Sequence, residues 1–241
     1  MTSNQIKLIA CVSMLIDHVG LVFFPEVVLF RILGRIAMPL FAFFIAEGCY
    51  YTAKPMRYFL RVFGMAVLCQ SVYFCEQLFA GNLHSVYLNI LFTFSFSIPL
   101  CFVYLRREKM LQKGSRNNAL MLLAVLVSIL AAIILFDVFC TLSEEQIGIK
   151  ITLDYGAIGA ILPLFALLHR SRKRQMVTYA IGVILFALLL MRGMWYSWFS
   201  LLALPILWFY NGKRGSKKLQ PVFYLFYPLH LAALYLIDML V

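Results

Sequence analysis

Apolar runs of about twenty residues, broken by short polar blocks, recur along the whole chain. A run of that length is what an α-helix needs to cross a hydrocarbon layer of roughly 30 Å. Inside that layer only a helix or a closed barrel satisfies its own backbone. The runs predict nine spans, over residues 6–24, 29–51, 57–79, 86–105, 118–139, 153–169, 176–192, 195–210 and 221–240. Pro25, Pro55, Gly81, and the stretches "KGSRNN" and "NGKRGSKK" supply breaks. The sixth to eighth spans are short, near the lower limit for crossing. The Trp195-Tyr196-Ser197-Trp198 cluster reads as an interfacial anchor at the start of the eighth. Composition agrees: 63% of residues are hydrophobic and 13% charged, and a soluble domain is only about 45–50% apolar. The expectation is an all-α polytopic membrane bundle forming a single domain over residues 1–241, with no internal repeat. The first apolar stretch is broken by Asp17-His18 and is followed by no A-x-A cleavage site, so it is expected to remain as the first helix.

The polar blocks alternate in charge. Lys54 and Arg57 follow span two, with Arg61 just inside the next helix. Arg106, Arg107, Lys109, Lys113 and Arg116 follow span four, and Arg170, Arg172, Lys173 and Arg174 follow span six. Lys213, Arg214, Lys217 and Lys218 follow span eight. The loops between them, "FFPEVV", "AGNLHS" and "TLSEEQIG", are neutral or acidic. The positive-inside rule puts the four basic loops and the N-terminus in the cytoplasm and the C-terminus outside. The net charge of +11 is thereby assigned to membrane loops, and nucleic-acid binding is set aside. The six cysteines form no CxxC, and most lie in apolar runs, where they read as small buried hydrophobes.

Ionisable groups inside such spans are expensive and mark candidate sites. Lys7, Cys11, Met14 and His18 share one helix face, and His18 lies roughly 16 Å along the axis from Lys7. Asp17 points about 100° away from His18, poorly placed to orient its imidazole. Span two opens with "RILGRIAMP", in which Arg31 and Arg35 form an i,i+4 pair near the depth of Asp17, so an Asp17–Arg35 ion pair is expected. Glu47 lies further in, off the arginine face unless Pro39 bends the helix. Asn89, Thr93 and Ser97 recur at i,i+4 in span four. In "DYGAIG", Asp154 is placed to cap span six, beside Tyr155. Tyr227 and His230 share a face of the last span. Each has a packing alternative: interhelical bonding for His230 and the Asn89 stripe, interfacial anchoring for Arg31, and capping alone for Asp154. The group of Asp17, His18, Arg31 and Arg35 at one depth is the hardest to assign to packing.

Four histidines with no HxxxH or HExxH spacing give no metal motif. No G-x-S-x-G elbow, Walker motif or GxGxxG loop is present.

The stretches "NQIKLIACVSMLIDHVG", "RILGRIAMPLFAFFIAEG", "NILFTF", "DYGAIG" and "YNGKRGSKKLQPVFYLFYPLH" together resemble the TraX family over essentially the whole chain. That family is named for N-terminal acetylation of F-type pilin. It is similar in turn to the membrane acyltransferases that modify extracytoplasmic sugars. Those carry a basic residue, ten intervening residues and a catalytic histidine in the first helix, a pattern met here by Lys7 and His18. The resemblance implies an acyltransferase of the bacterial cytoplasmic membrane. It would move acetyl from cytosolic acetyl-CoA, as co-substrate and without a metal, to a glycan, lipid-linked sugar or protein outside. His18 inherits the role of base, acting directly or through a transient acetyl-histidine. Arg35, Arg31 and Asn89 are candidate oxyanion stabilisers, with Asp17 beside them. Lys7, Arg57 and Arg61, then Lys213 and Arg214, are candidates for the CoA phosphates. Asp154, Tyr155, Glu47, Tyr227 and His230 are candidates for the acceptor. The competing class is a non-enzymatic transporter or envelope assembly factor, whose paths use the same buried ions.

Overall fold

The computed structural model describes residues 1–79, 84–190 and 195–240. The expected break at Gly81, the end of the seventh expected span and the C-terminal Val241 lie outside them. Helices dominate, in the order α1 (Ser3–Phe23), α2 (Val28–Gly34), α3 (Ala37–Tyr51), α4 (Pro55–Phe79), α5 (Ile90–Gln112), α6 (Arg116–Ile147), α7 (Gly156–Phe165), α8 (Arg172–Leu190), α9 (Ala203–Trp208) and α10 (Gln220–Leu240). A 3₁₀ helix, Trp195–Leu202, leads into α9, and strands β1 (Ser85–Leu88) and β2 (Lys150–Leu153) flank α5 and α6. Among the described residues, seven helical stretches are long and apolar enough to cross a membrane, α2 and α3 counting together. The sixth and eighth expected spans are instead shorter apolar stretches, Gly156–Phe165 and Trp195–Trp208. Leu120, Leu135, Leu189 and Leu229 are among many large apolar side chains facing outward, as a lipid-facing surface requires.

Two compact units emerge, Met1–Phe44 with Arg172–Val241, and Ile45–Ser171. In the first, Thr2 caps α1 through a capping box: Gln5 N–H donates to the Thr2 hydroxyl, and Thr2 N–H to Gln5 Oε1 at 2.7 Å. The basic loop after α9 satisfies the next donors. Ser3 and Asn4 N–H donate to the carbonyls of Lys213 and Arg214, at 2.8 and 3.2 Å. The Asn4 amide donates to Ser216 O at 2.6 Å. Gly215 has φ +84°, and a Cβ there would come within 3.0 Å of the Asn4 amide, so this clasp needs glycine on both counts. The second expected span is interrupted at Arg35–Ile36, between α2 and α3. Pro39 explains the break, because it has no N–H for the Arg35 carbonyl. The Tyr179 hydroxyl donates to Pro39 O, and Phe43 packs its ring against Tyr179 and Tyr210. Arg172 donates to Leu207 O and Tyr210 O, capping the end of α9.

In the second unit, Leu100, Leu126, Ile133 and Ala160 form a core between α5, α6 and α7. Span four was expected to begin at residue 86 and span six at 153. Residues 85–88 and 150–153 instead pair as a two-stranded parallel sheet, Ser85 opposite Lys150 through Leu88 opposite Leu153. Short runs such as "SVYL" and "KITL" have β-branched and aromatic residues that suit either structure, and the pairing decides. Side chains cover the sheet edges. Gln70 and Gln77 donate to Tyr87 O and Ser85 O, and Ser143 Oγ accepts from Ile151 N–H. Helix α6 runs 32 residues to Gly148, where φ +69° ends it. The stretch "TLSEEQ", expected as a loop, is therefore its last turns.

Candidate functional site

The ionisable groups of the first unit come together on α1, α2 and α10. His18 stands one turn beyond Met14 on α1, and its Nδ1 lies 2.8 Å from Met14 O. A carbonyl only accepts, so Nδ1 carries the hydrogen and Nε2 holds the lone pair. Among the described residues, Nε2 makes no hydrogen bond. His230 repeats the arrangement on α10, with Nδ1 2.9 Å from Phe226 O. The two imidazoles meet, His230 Nε2 lying 3.4 Å from His18 Nδ1 and the ring centroids 4.9 Å apart. Phe226 stacks on His230, and Tyr227 meets both histidines edge-on. The sequence had placed Tyr227 and His230 on one face. It held no signal that this face would meet His18, 212 residues away.

Asp17 turns from His18 and binds the two arginines. Arg31 Nη1 donates to Oδ2 at 2.7 Å, and Arg35 Nη2 to both carboxylate oxygens at 3.0 and 3.2 Å. The expected Asp17–Arg35 pair is thus half of a three-ion cluster. Arg35 is 3% exposed, lies over the Tyr196 ring, and gives its Nε–H to Arg31 O. Charge-assisted bonds of this kind compensate the desolvation of buried ions. The glycine of "RILGR" makes the approach possible, since a Cβ on Gly34 would fall on the Asp17 carboxylate. Ser13 Oγ donates to Leu33 O at 2.6 Å and pins the same crossing. Gly34 and Ser13 were not legible as site residues; a small residue between two arginines was the sign of Gly34, and Ser13 had none.

Lys7 lies at the other end of the stripe, its Nζ 5.1 Å from the Phe44 ring centroid and within the field of Arg214. Lys213 and Arg214 reach the first turn of α1 through their carbonyls, so the loop brings two candidate phosphate ligands to the end of α1 that carries Lys7. Arg57 and Arg61 sit exposed on α4 in the second unit.

The remaining candidates are also in the second unit, and there the geometry revises two expectations. Asn89 is the N-cap of α5 rather than a mid-helix residue. It accepts from Leu91 N–H and donates to Ala66 O and Gln70 Oε1, so its amide is committed to holding the chain. Asp154 does not cap α7. That task falls to Asp137 of α6, whose Oδ2 accepts from Ala157 N–H at 3.0 Å. Asp154 instead continues the strand ladder through its N–H to Leu88 O, and its carbonyl accepts from Thr93. Burial pushes the Tyr87 phenol well above its ordinary pKa, and the nearby Asp154 carboxylate pushes it further. Tyr155 follows with φ 59°, a left-handed conformation costly for a bulky side chain. Glu47 pairs with Arg170 at 2.7 Å, whose guanidinium stacks over Tyr50 at 3.7 Å. The sequence had left Glu47 without a partner because Arg170 is 123 residues away.

A probable fimbrial assembly protein FimC, serogroup H1, of Dichelobacter nodosus is 25% identical over 95% of this chain and 93% of its own length. An uncharacterized protein of Rickettsia prowazekii (strain Madrid E) is 35% identical, over 39% of this chain and 37% of its own. No solved structure matches. The family model described as TraX protein matches residues 2–238, which takes in the α1 stripe, the arginines of α2 and the histidine of α10 alike, and the chain belongs to the TraX family.

Proposed function

We propose that the protein is a membrane acyltransferase. It moves an acetyl group from cytosolic acetyl-CoA to a hydroxyl or amine of an acceptor outside the bacterial cytoplasmic membrane: a surface glycan, a lipid-linked sugar or a protein. The observation that carries this reading is His18, a half-buried imidazole whose Nδ1–H is anchored to Met14 O and whose Nε2 lone pair has no structural partner among the described residues. A neutral imidazole held in one tautomer is a suitable general base. In the reaction, Nε2 takes the proton of the acceptor hydroxyl or amine. The acceptor's electron pair attacks the thioester carbon, the C–S bond breaks, and the proton passes from Nε2 to the departing sulfur. The products are the acetylated acceptor and CoA.

The charge that develops on the acyl oxygen needs a nearby cation or donor. Arg31 is the better candidate, with its side chain 20% exposed against 3% for Arg35. Lys7, Lys213 and Arg214 are suited to the CoA phosphates, and Arg57 and Arg61 of the second unit are the other candidates. The spacing of Lys7 and His18 supports kinship with the membrane acyltransferase superfamily. The seven long helices and two short apolar stretches are read as nine crossings. The basic blocks between them support an N-terminus inside and a C-terminus outside.

A second reading is an envelope assembly factor without catalysis, favoured by the name of the Dichelobacter nodosus relative, a probable fimbrial assembly protein. Oriented vesicles separate the two. Labelled acetyl-CoA supplied on the cytoplasmic side is expected to label acceptors in the opposite compartment. Vesicles that neither bind nor consume acetyl-CoA, while the protein still supports assembly in cells, would establish the second reading.

A further inference from the structure

Resting on the reading of His18 as the base, we infer that His230 is a positioning residue for it: its Nε2 accepts from His18 Nδ1–H beside Met14 O and steadies that imidazole as Nε2 takes a proton. A general-base histidine is ordinarily oriented through its second nitrogen by an acidic group. The neighbouring acid here is Asp17, and it is unavailable. It lies about 100° around α1 from His18 and is held by two guanidiniums.

The acceptors that face Nδ1 are Met14 O at 2.8 Å and His230 Nε2 at 3.4 Å. The His230 nitrogen is an acceptor because its own Nδ1–H is taken by Phe226 O. Its plane is set by Phe226, stacked 4.9 Å away, and by the edge of Tyr227. The two contacts on Nδ1 therefore form a three-centre hydrogen bond, with one short arm and one long arm. When Nε2 takes a proton, the imidazolium donates more strongly from Nδ1, and the long arm is the one with room to tighten. Hydrogen bonds at catalytic groups are commonly long before the reaction begins.

A neutral acceptor also fits the location. A second carboxylate beside His18 would add another charge to a region that already holds Asp17, Arg31 and Arg35, and such charges are costly in a bilayer. His230 does not carry the proton away, because its Nδ1–H ends on a backbone carbonyl. It orients and stabilises, acting through His18.

The test uses the full-length protein in lipid nanodiscs, with His230→Phe and His230→Gln beside the wild type. Phenylalanine keeps the ring and removes the acceptor; glutamine restores an acceptor oxygen. A hydrogen bond to a charged group is worth about 10- to 100-fold in rate. His230→Phe is expected to lower kcat by about that factor with KM for acetyl-CoA within about twofold, and His230→Gln to recover most of the loss. In parallel, 15N shifts of the His18 imidazole report its tautomer. Met14 O keeps the Nδ1–H form in all three, and the Nδ1 shift, which reports the hydrogen bond made there, is expected to change in His230→Phe and to return toward the wild type in His230→Gln. A wild-type Nδ1 shift and wild-type kcat in His230→Phe would overturn the inference, as would a glutamine variant no better than phenylalanine in both readouts. If the wild type transfers no acetyl group, the acyltransferase reading fails by itself. The imidazole spectra then decide alone whether His230 positions His18.

Discussion

The unit formed by residues 1–44 and 172–241 gathers Asp17, Arg31 and Arg35 into one ion cluster, whereas residues 45–171 bury mainly amides and hydroxyls beside a single partly exposed pair, Glu47–Arg170. In the second unit the buried polar groups complete the backbone. Asn89 caps α5, Gln70 and Gln77 close the edge of β1, Ser143 closes β2, and Thr93 meets the Asp154 carbonyl. Each answers a backbone group that would otherwise be unpaired in an apolar surrounding. In the first unit, Asp17, Arg31 and Arg35 chiefly answer one another, and the Nε2 atom of His18 answers nothing among the described residues. Buried charge that the backbone does not require is the more persuasive sign of a working site; among the described residues the first unit gathers three such ions at one point, and the second holds the Glu47–Arg170 pair, whose arginine is 31% exposed.

That contrast is most exposed at His18. His18→Ala is expected to lower acetyl transfer about 10²–10⁴-fold, with the melting temperature unchanged. A purified variant that kept more than about a tenth of wild-type turnover would remove His18 as the base.

Asp17→Asn carries the largest expected stability effect. It leaves the 3%-exposed Arg35 without its counter-ion, a change that costs about 3 kcal/mol or more, read as a fall in thermal unfolding in detergent. Full stability with lost transfer would instead make Asp17 a reacting group.

Asn89→Ala tests the other unit. It removes a cap and two donated bonds, and about 1–3 kcal/mol of stability is expected to go. Asn89→Asp, which keeps the capping oxygen, is expected to lose less. A loss of transfer with no change in stability would place Asn89 among the reacting groups and erase the contrast.

The smallest effect is expected at Glu47→Gln. The partner Arg170 has a side chain 31% exposed, so the pair is worth under about 1 kcal/mol. Unfolding compared at low and high salt checks it, since screening should close the gap between variant and wild type.

Hydropathy located the apolar segments well, because burial in lipid depends on summed composition over about twenty residues. It was less reliable at segment ends. Residues 86–88 look like the start of span four and Leu153 like the start of span six, yet both belong to paired strands, and "TLSEEQ" looks like a loop and is helix. These choices rest on hydrogen bonds to partners tens of residues away, which no local window contains. Asn89 shows the same limit at one residue. Its i,i+4 spacing with Thr93 and Ser97 suggested one polar helix face, yet strand β1 ends just before it and makes it a cap.

What the sequence by itself determined is periodic or adjacent: the stripe of Lys7, Cys11, Met14 and His18, the arginine pair flanking Gly34, and the divergence of Asp17 from His18. Helix geometry converts such spacing directly into direction. What only the tertiary structure decided is partnership across distance. It brought His230 to His18, gave Arg31 as well as Arg35 to Asp17, Arg170 to Glu47 and Asp137 to the start of α7. Each of these pairs rests on how helices cross, and a crossing is set by side-chain packing summed over whole interfaces.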